Sequence, residues 1–201
     1  LIMVKKYKKI LKKFLLKKHI YLGRATNIKK IQQFLDLVKP IKNNHTLIRL
    51  GGRKDGGYLI PDDLEDVNVC FSPGVSKVAD FENDLTKRGI RCFLADYSVE
   101  YPPIYNKLFD FEKKYLGSKN DEIFMTLESW IELKKPKNHD LILQMDIEGA
   151  EYSVIFDTSS KTLERFRILV IEFHGLDLLF NSMRFDLINL TFNKILKNFE
   201  V

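Results

Sequence analysis

The stretch DLILQMDIEGAE, Asp140–Glu151, decides the fold. Its first half is an almost unbroken apolar run of strand length, the pattern of a strand covered on both faces. It ends abruptly in three acids, Asp146, Glu148 and Glu151, around a lone Gly149. Strands of this kind belong to parallel sheets, whose ligands sit outside the carboxyl ends of the strands near the point where strand order reverses. Asp146 stands at such an end, so the acids face the functional edge.

Working outward, the same alternation of short apolar runs and helical stripes repeats. Asp66–Ser72, Ile90–Asp96, Glu122–Met125 and Arg167–Phe173 read as further strands. Val78–Gly89 and Ile104–Gly117 read as helices closed by glycine, and Thr126–Leu133 as a helix capped by Thr126. Ala150–Phe156 is helical, and a last helix turns Phe185, Ile188, Phe192, Ile195 and Phe199 inward. Nearer the start, a helix from Asn27 that stops before Pro40 points Ile28, Ile31, Phe34, Leu35 and Val38 at the core. The fold class is therefore α/β, a mostly parallel sheet flanked by helices.

Charge divides the chain. Up to Leu35 there are eleven Lys or Arg and no acid, which leaves 22 basic against 27 acidic residues, a net of about −5, for the rest. From Met3 to His19 the apolar positions Val4, Tyr7, Ile10, Leu11, Phe14 and Leu15 form a helical stripe among lysines. Such a helix either docks on an anionic membrane surface or acidic partner, or packs on the domain or on another copy in a homodimer. Nucleic acid is disfavoured, because the aromatics do not interleave with the lysines and the body is acidic. We divide the chain into a basic amphipathic helix, residues 1–22, and an α/β domain, residues 23–201. No apolar run reaches the roughly 18 residues of a membrane span. Cys70 and Cys92 lie inside apolar runs and read as buried, reduced thiols. The expected location is cytoplasmic, at most peripheral to the inner membrane.

Two turns carry the binding signals. FSPGVSK, Phe71–Lys77, joins the first sheet strand to a helix, and its Gly74 lets backbone N–H groups approach a ligand. Asp96 ends the next strand 22 residues after Gly74, near the spacing at which an acid meets ribose hydroxyls in nucleotide-binding βαβ units. RLGGRKDGGYLI, Arg49–Ile60, is either a glycine-rich loop lying against a ligand or a simple hairpin on Asp55-Gly56-Gly57.

In order and spacing, DGGYLI, CFSPGVSKVADFENDL, FLADYS, LQMDIEGAEY and LVIEFHGL resemble FkbM-type methyltransferases over roughly residues 47–199. The resemblance implies a class I, Rossmann-like domain with a seven-stranded sheet, using S-adenosylmethionine. It places Ser72, Gly74 and Val75 at the methionine part of the cofactor, Asp96 at the ribose and Tyr97 beside the adenine. Asp55, Gly56 and Tyr58 close the cofactor side, Asp146 lies near the sulfonium, and Glu148, Glu151, Glu172 and His174 surround the acceptor. It also implies a β-hairpin after the last helix, which the sequence as given does not reach, so the domain is expected to be truncated.

Methyl transfer needs an acceptor oxygen that is aligned, deprotonated and kept from water. His174, one of four histidines, is the candidate base, with Glu172 or Asp146 to orient it. The catalytic set is then Asp146, Glu172 and His174. Asp146 and Glu172 could instead hold Mg2+, for which oxygen ligands are suited. The expected function is O-methylation of a sugar hydroxyl in bacterial glycan biosynthesis. A catalytically silent Rossmann-like binding module is the alternative, and a nicotinamide oxidoreductase is disfavoured by the absence of GxGxxG.

Overall fold

The computed structural model of the chain describes residues 2–19, 23–137 and 140–201. A first helix, α1 (Ile2–Lys17), precedes the undescribed residues 20–22, where the boundary drawn from sequence falls. Helix α2 (Ile28–Leu37) starts where Asn27 accepts a hydrogen bond from the Lys29 N–H at 2.9 Å. Its inward face is narrower than the sequence suggests. Ile31 and Phe34 are buried, but Ile28 and Leu35 are exposed, because α2 meets the body along one edge only.

Two short strands, β1 (Leu47–Leu50) and β2 (Tyr58–Pro61), form an antiparallel hairpin around the glycine-rich loop. Then come β3 (Val69–Pro73), α3 (Asp80–Thr86), β4 (Arg91–Ala95) and β5 (Phe109–Glu112). A small parallel pair, β6 (Tyr115–Leu116) and β7 (Phe124–Met125), leads into α4 (Leu127–Lys134). The chain closes with β8 (Leu141–Met145), α5 (Glu151–Asp157), α6 (Ser160–Leu163), β9 (Phe166–Ile171), a 3-10 turn over Leu176–Phe180 and α7 (Ser182–Ile195). Strands β5-β4-β3-β8-β9 form one five-stranded sheet, parallel throughout. Five strands stand here among the described residues, where the resemblance implied seven.

Alternate residues of the central strands enter two different cores. Phe71, Phe93, Leu143 and Phe166 face Trp130 and Ile131 of α4, Val154 and Ile155 of α5 and Ile195 of α7. Cys70, Cys92, Leu94, Ile142 and Ile168 face Phe81 and Leu85 of α3 and Leu50 and Ile60 of the hairpin. The sheet is thus covered on both faces, which is why its strands read as continuous apolar runs. Cys70 and Cys92 are free, buried and in register across β3 and β4.

One expectation fails outright. Ile104–Gly117 is not a helix but contains β5 and β6. Phe109 and Phe111 pack against the second core, while Asp110 and Glu112 meet the ammonium of Lys134 at 2.8 and 2.7 Å. That is a period of two, and pairing with β4 satisfies the backbone along one side. The strand from Asp66 also starts later, at Val69; Asp66 has a φ of 62° and turns the chain into the sheet.

Strand order reverses between β3 and β8: from β3 the chain runs outward through β4 and β5, then returns to β8 and β9 on the other side. The crevice at the carboxyl ends of β3 and β8 is where this topology places a ligand.

Candidate active site

The turn after β3 and the turn after β8 touch back to back. Gly74 has a φ of 91°, and a Cβ there would lie 1.6 Å from the Asp146 carbonyl oxygen. Glycine is therefore demanded by the neighbouring backbone, whereas the sequence reading assigned it to ligand approach. The Gly74 N–H donates to the Ala95 carbonyl at 2.9 Å, tying in β4 as well.

A cavity of about 610 Å³ opens beside this contact. That is within the range of small-molecule sites. Of the residues expected at the cofactor, Asp55, Gly56, Tyr58, Gly74, Val75 and Asp96 line it, as does Asp146. Both readings of the glycine-rich loop hold at once, since it is a hairpin and its Asp55-Gly56 tip forms part of the wall.

Ser72 does not reach the cavity. It is fully buried, and its hydroxyl lies against Glu82 Oε1 and 2.6 Å from Gln144 Oε1. It supports Glu82 and Gln144, which do line the wall. One hydroxyl proton cannot serve two acceptors, so Glu82 or Gln144 must supply a hydrogen of its own. Burial pushes the Glu82 carboxyl up to about 7, which makes the protonated acid the donor below that pH. Tyr97 is also outside the lining; it packs on Tyr115, with ring centroids 5.5 Å apart.

Asp96 is almost fully buried and heavily engaged. One carboxylate oxygen accepts from the Ser98 N–H at 2.7 Å and the Ser98 hydroxyl at 2.6 Å, and the other from the Ser76 N–H at 2.8 Å. Of roughly four lone-pair positions on a carboxylate, one is left. With this geometry Asp96 can take one ribose hydroxyl, not both.

The residues expected around the acceptor cluster beside Asp146. The loop 147–150 turns through left-handed Glu148 and Gly149, with φ of 56° and 99°, and carries Glu151 beneath it. Glu151 is wholly buried and faces no acceptor. Its Oε1 accepts from the backbone N–H of Ile147 at 3.1 Å and of Gly149 at 3.0 Å, and lies 3.0 Å from His174 Nδ1. The orienting partner of His174 is thus Glu151, where the sequence reading named Glu172 or Asp146. With Nδ1–H donated to Glu151, Nε2 points outward, 3.7 Å from Asp146 Oδ1 and 3.6 Å from Glu148 Oε2. Tyr152 donates its hydroxyl to the His174 carbonyl at 2.8 Å and fixes the backbone on which the ring sits.

Electrostatics follow from the crowding. Burial, then the charge of Glu172, pushes Asp146 up to about 6. Burial works to lower His174, but the hydrogen bond and charge of Glu151, with Asp146 and Glu148, raise it above its ordinary value. Tyr58, which donates to Glu172 at 3.3 Å, is pushed well up by burial and by Asp146 and Glu172. Asp55, Asp146 and Glu172 each present an oxygen within 4.8 Å of the others, and the carboxylate oxygens of Asp146 and Glu148 lie equally close to a ring nitrogen of His174. Either set could supply three ligands to a hard divalent cation, leaving the remaining positions to water or substrate.

Several wall residues escaped the sequence reading. Tyr115 was hidden by the helix assigned to Ile104–Gly117, Phe124 was read only as part of the strand Glu122–Met125, and Ser76, Lys77 and Ser98 carry no distinctive spacing. Gln144 had a signal: it is the one polar residue inside the β8 run.

Among known proteins, no curated protein and no solved structure matches the chain, but a family model does. The matched residues, 121–196, include DIEGAE and IEFH, while DGGY, SPG and LADYS lie before them. The part of the chain that carries β7 to α7, residues 121–196, is similar to the methyltransferase FkbM domain, whose family model it matches.

Proposed function

We propose that the chain is an S-adenosylmethionine-dependent O-methyltransferase acting on a sugar hydroxyl in bacterial glycan biosynthesis. The observation that carries the reading is the Glu151–His174 pair, which turns Nε2 toward Asp146 at the rim of the cavity. A buried carboxylate on one ring nitrogen and an outward-facing second nitrogen is the arrangement of a general base. The sugar and the glycan pathway rest on family analogy.

The residues fit the cofactor. S-adenosylmethionine supplies an activated methyl group on a cationic sulfur. The cavity pairs a remaining acceptor position on Asp96 with the carboxylates of Asp55 and Asp146. In this reading Asp96 takes a ribose hydroxyl and the turn at Gly74 and Val75 holds the amino-acid part. Asp146, Asp55 and Glu172 provide negative charge toward the cation. His174 takes the acceptor proton at Nε2, and Glu151 keeps Nδ1–H in place. Alignment and water exclusion supply the rest. The acid cluster also favours a second use of Asp146, chelation of a divalent cation such as Mg2+. Added chelator that abolishes turnover but spares cofactor binding would select it.

The test is calorimetric titration with S-adenosylhomocysteine, with NAD as control, followed by methyl transfer to a panel of glycans. Micromolar binding of the former alone is expected, with Asp96→Ala weakening it at least about 10-fold, the loss of one or more charge-assisted hydrogen bonds. Unchanged affinity in Asp96→Ala overturns the site. Binding without turnover on any acceptor favours the silent binding module.

A further inference from the structure

Helix α1 leaves four residues of its apolar stripe uncovered. Tyr7, Ile10, Leu11 and Phe14 recur at helical spacing and are 67, 55, 52 and 58% exposed. Four large apolar side chains on one face of a helix are normally buried, and a contiguous exposed patch marks an interaction surface. The helix carries seven lysines and no acid. Lys12, Lys13 and Lys17 are exposed and, among the described residues, form no ion pair, although the chain beyond Leu35 has an excess of acids. On a helical projection Lys12 and Lys13 stand on the two flanks of the polar side opposite the stripe.

We infer that α1 is a docking element for an anionic lipid bilayer, lying in the interfacial plane with Tyr7, Ile10, Leu11 and Phe14 in the acyl boundary. Charge complementarity selects this occupant. A protein groove would have to match a stripe flanked on both sides by lysines, whereas an anionic headgroup layer meets both flanks at once while the hydrocarbon takes the stripe. Tyr7 suits the boundary, with an apolar ring and a hydroxyl that stays wet. No helix among the described residues is long and apolar enough to cross a membrane, so the contact is peripheral to the bilayer at α1. The inference goes beyond the proposed methyl transfer and does not depend on it.

The full chain is mixed with phosphatidylcholine vesicles, with and without roughly one quarter phosphatidylglycerol, and binding is read by flotation. Binding to the anionic vesicles alone, released by raised salt, is expected. Lys12→Gln with Lys13→Gln should weaken it about 25-fold, at about 5-fold for each lysine near the surface. Phe14→Ser should weaken it by a similar order, about 10- to 30-fold. Circular dichroism and the melting temperature of both variants should match the parent, since these four residues of the α1 stripe are uncovered. No binding, equal binding to neutral vesicles, or binding indifferent to both substitutions overturns the inference. So does a concentration-dependent dimer that Phe14→Ser dissolves, which would give the stripe to a second copy of the chain.

Discussion

Replacing Glu151 by Gln tests the centre of the site with almost no change of shape. Glu151 Oε1 receives two backbone N–H groups and faces His174 Nδ1, all within 3.1 Å, while Oε2 is buried without a hydrogen-bond partner. In the amide, the NH2 takes the place of Oε2 and brings two donors where there is no acceptor. Turning the amide over would aim it at three donors instead. The buried unsatisfied group costs about 1–3 kcal/mol at any pH. A second loss depends on protonation. A hydrogen bond to a charged partner is worth about 1 kcal/mol more than a neutral one, trimmed here because the His174 side chain is 31% exposed. His174 is raised in the folded chain. Its contribution is therefore fully present below the ordinary histidine value and is lost as pH rises through the folded one. Glu151→Gln should lower the melting temperature by roughly 4–8 °C for about 2 kcal/mol in a chain of this size, and by more near pH 6 than near pH 9. The acidic limb of the methyl-transfer profile should move to lower pH, because the imidazolium has lost its partner. Calorimetry at the two pH values and a pH–rate profile read both effects. An equal loss at both pH values with an unmoved limb would refute electrical coupling between Glu151 and His174.

Asp146 behaves in the opposite sense. Its folded value of about 6 lies above the ordinary 3.8, so its ionisation destabilises the fold as pH rises through that window. After discounting for partial exposure, Asp146→Asn should gain about 1–2 kcal/mol near pH 8, seen as a higher melting temperature, while methyl transfer is lost. A lower melting temperature there would contradict the crowding of carboxylates. Gly74→Ala forces a Cβ to 1.6 Å from a backbone oxygen and should destabilise by more than about 4 kcal/mol or prevent folding, whereas Gly149→Ala, with a similar φ but nothing within 4 Å, should cost only about 1–2 kcal/mol. Similar losses in denaturant titrations of the two would show that the backbone contact at Gly74 is unimportant.

The central sheet was readable because strands buried on both faces leave little alternation to misread: Leu141–Met145 is buried throughout and broken only by Gln144. The edge was not. In Phe109–Glu112 aromatic and acidic residues alternate, but Ile104, Leu108 and Tyr115 around them also satisfy a helical stripe, and only pairing with β4 decides between the two. The site shows the same division. The acids and His174 could be assembled at one edge from strand ends alone, yet nothing in DIEGAE says which acid is buried. That follows from the left-handed turn at Glu148 and Gly149, which tucks Glu151 under the loop and leaves Glu148 outside. Likewise the engagement of Asp96 by Ser76 and Ser98 depends on loop conformation that spacing does not encode.

The contact between Gly74 and the Asp146 carbonyl has a consequence for how ligand is received. On the proposed reading, the turn that takes the cofactor and the strand end that faces the acceptor meet through main-chain atoms with no side chain between them to yield, so the two half-sites stand together without ligand. Free energy of association is then not consumed in bringing donor and acceptor positions together, a saving that rigid sites hold over those that assemble on binding. The hairpin tip at Asp55 and Gly56 completes the wall from outside the central sheet.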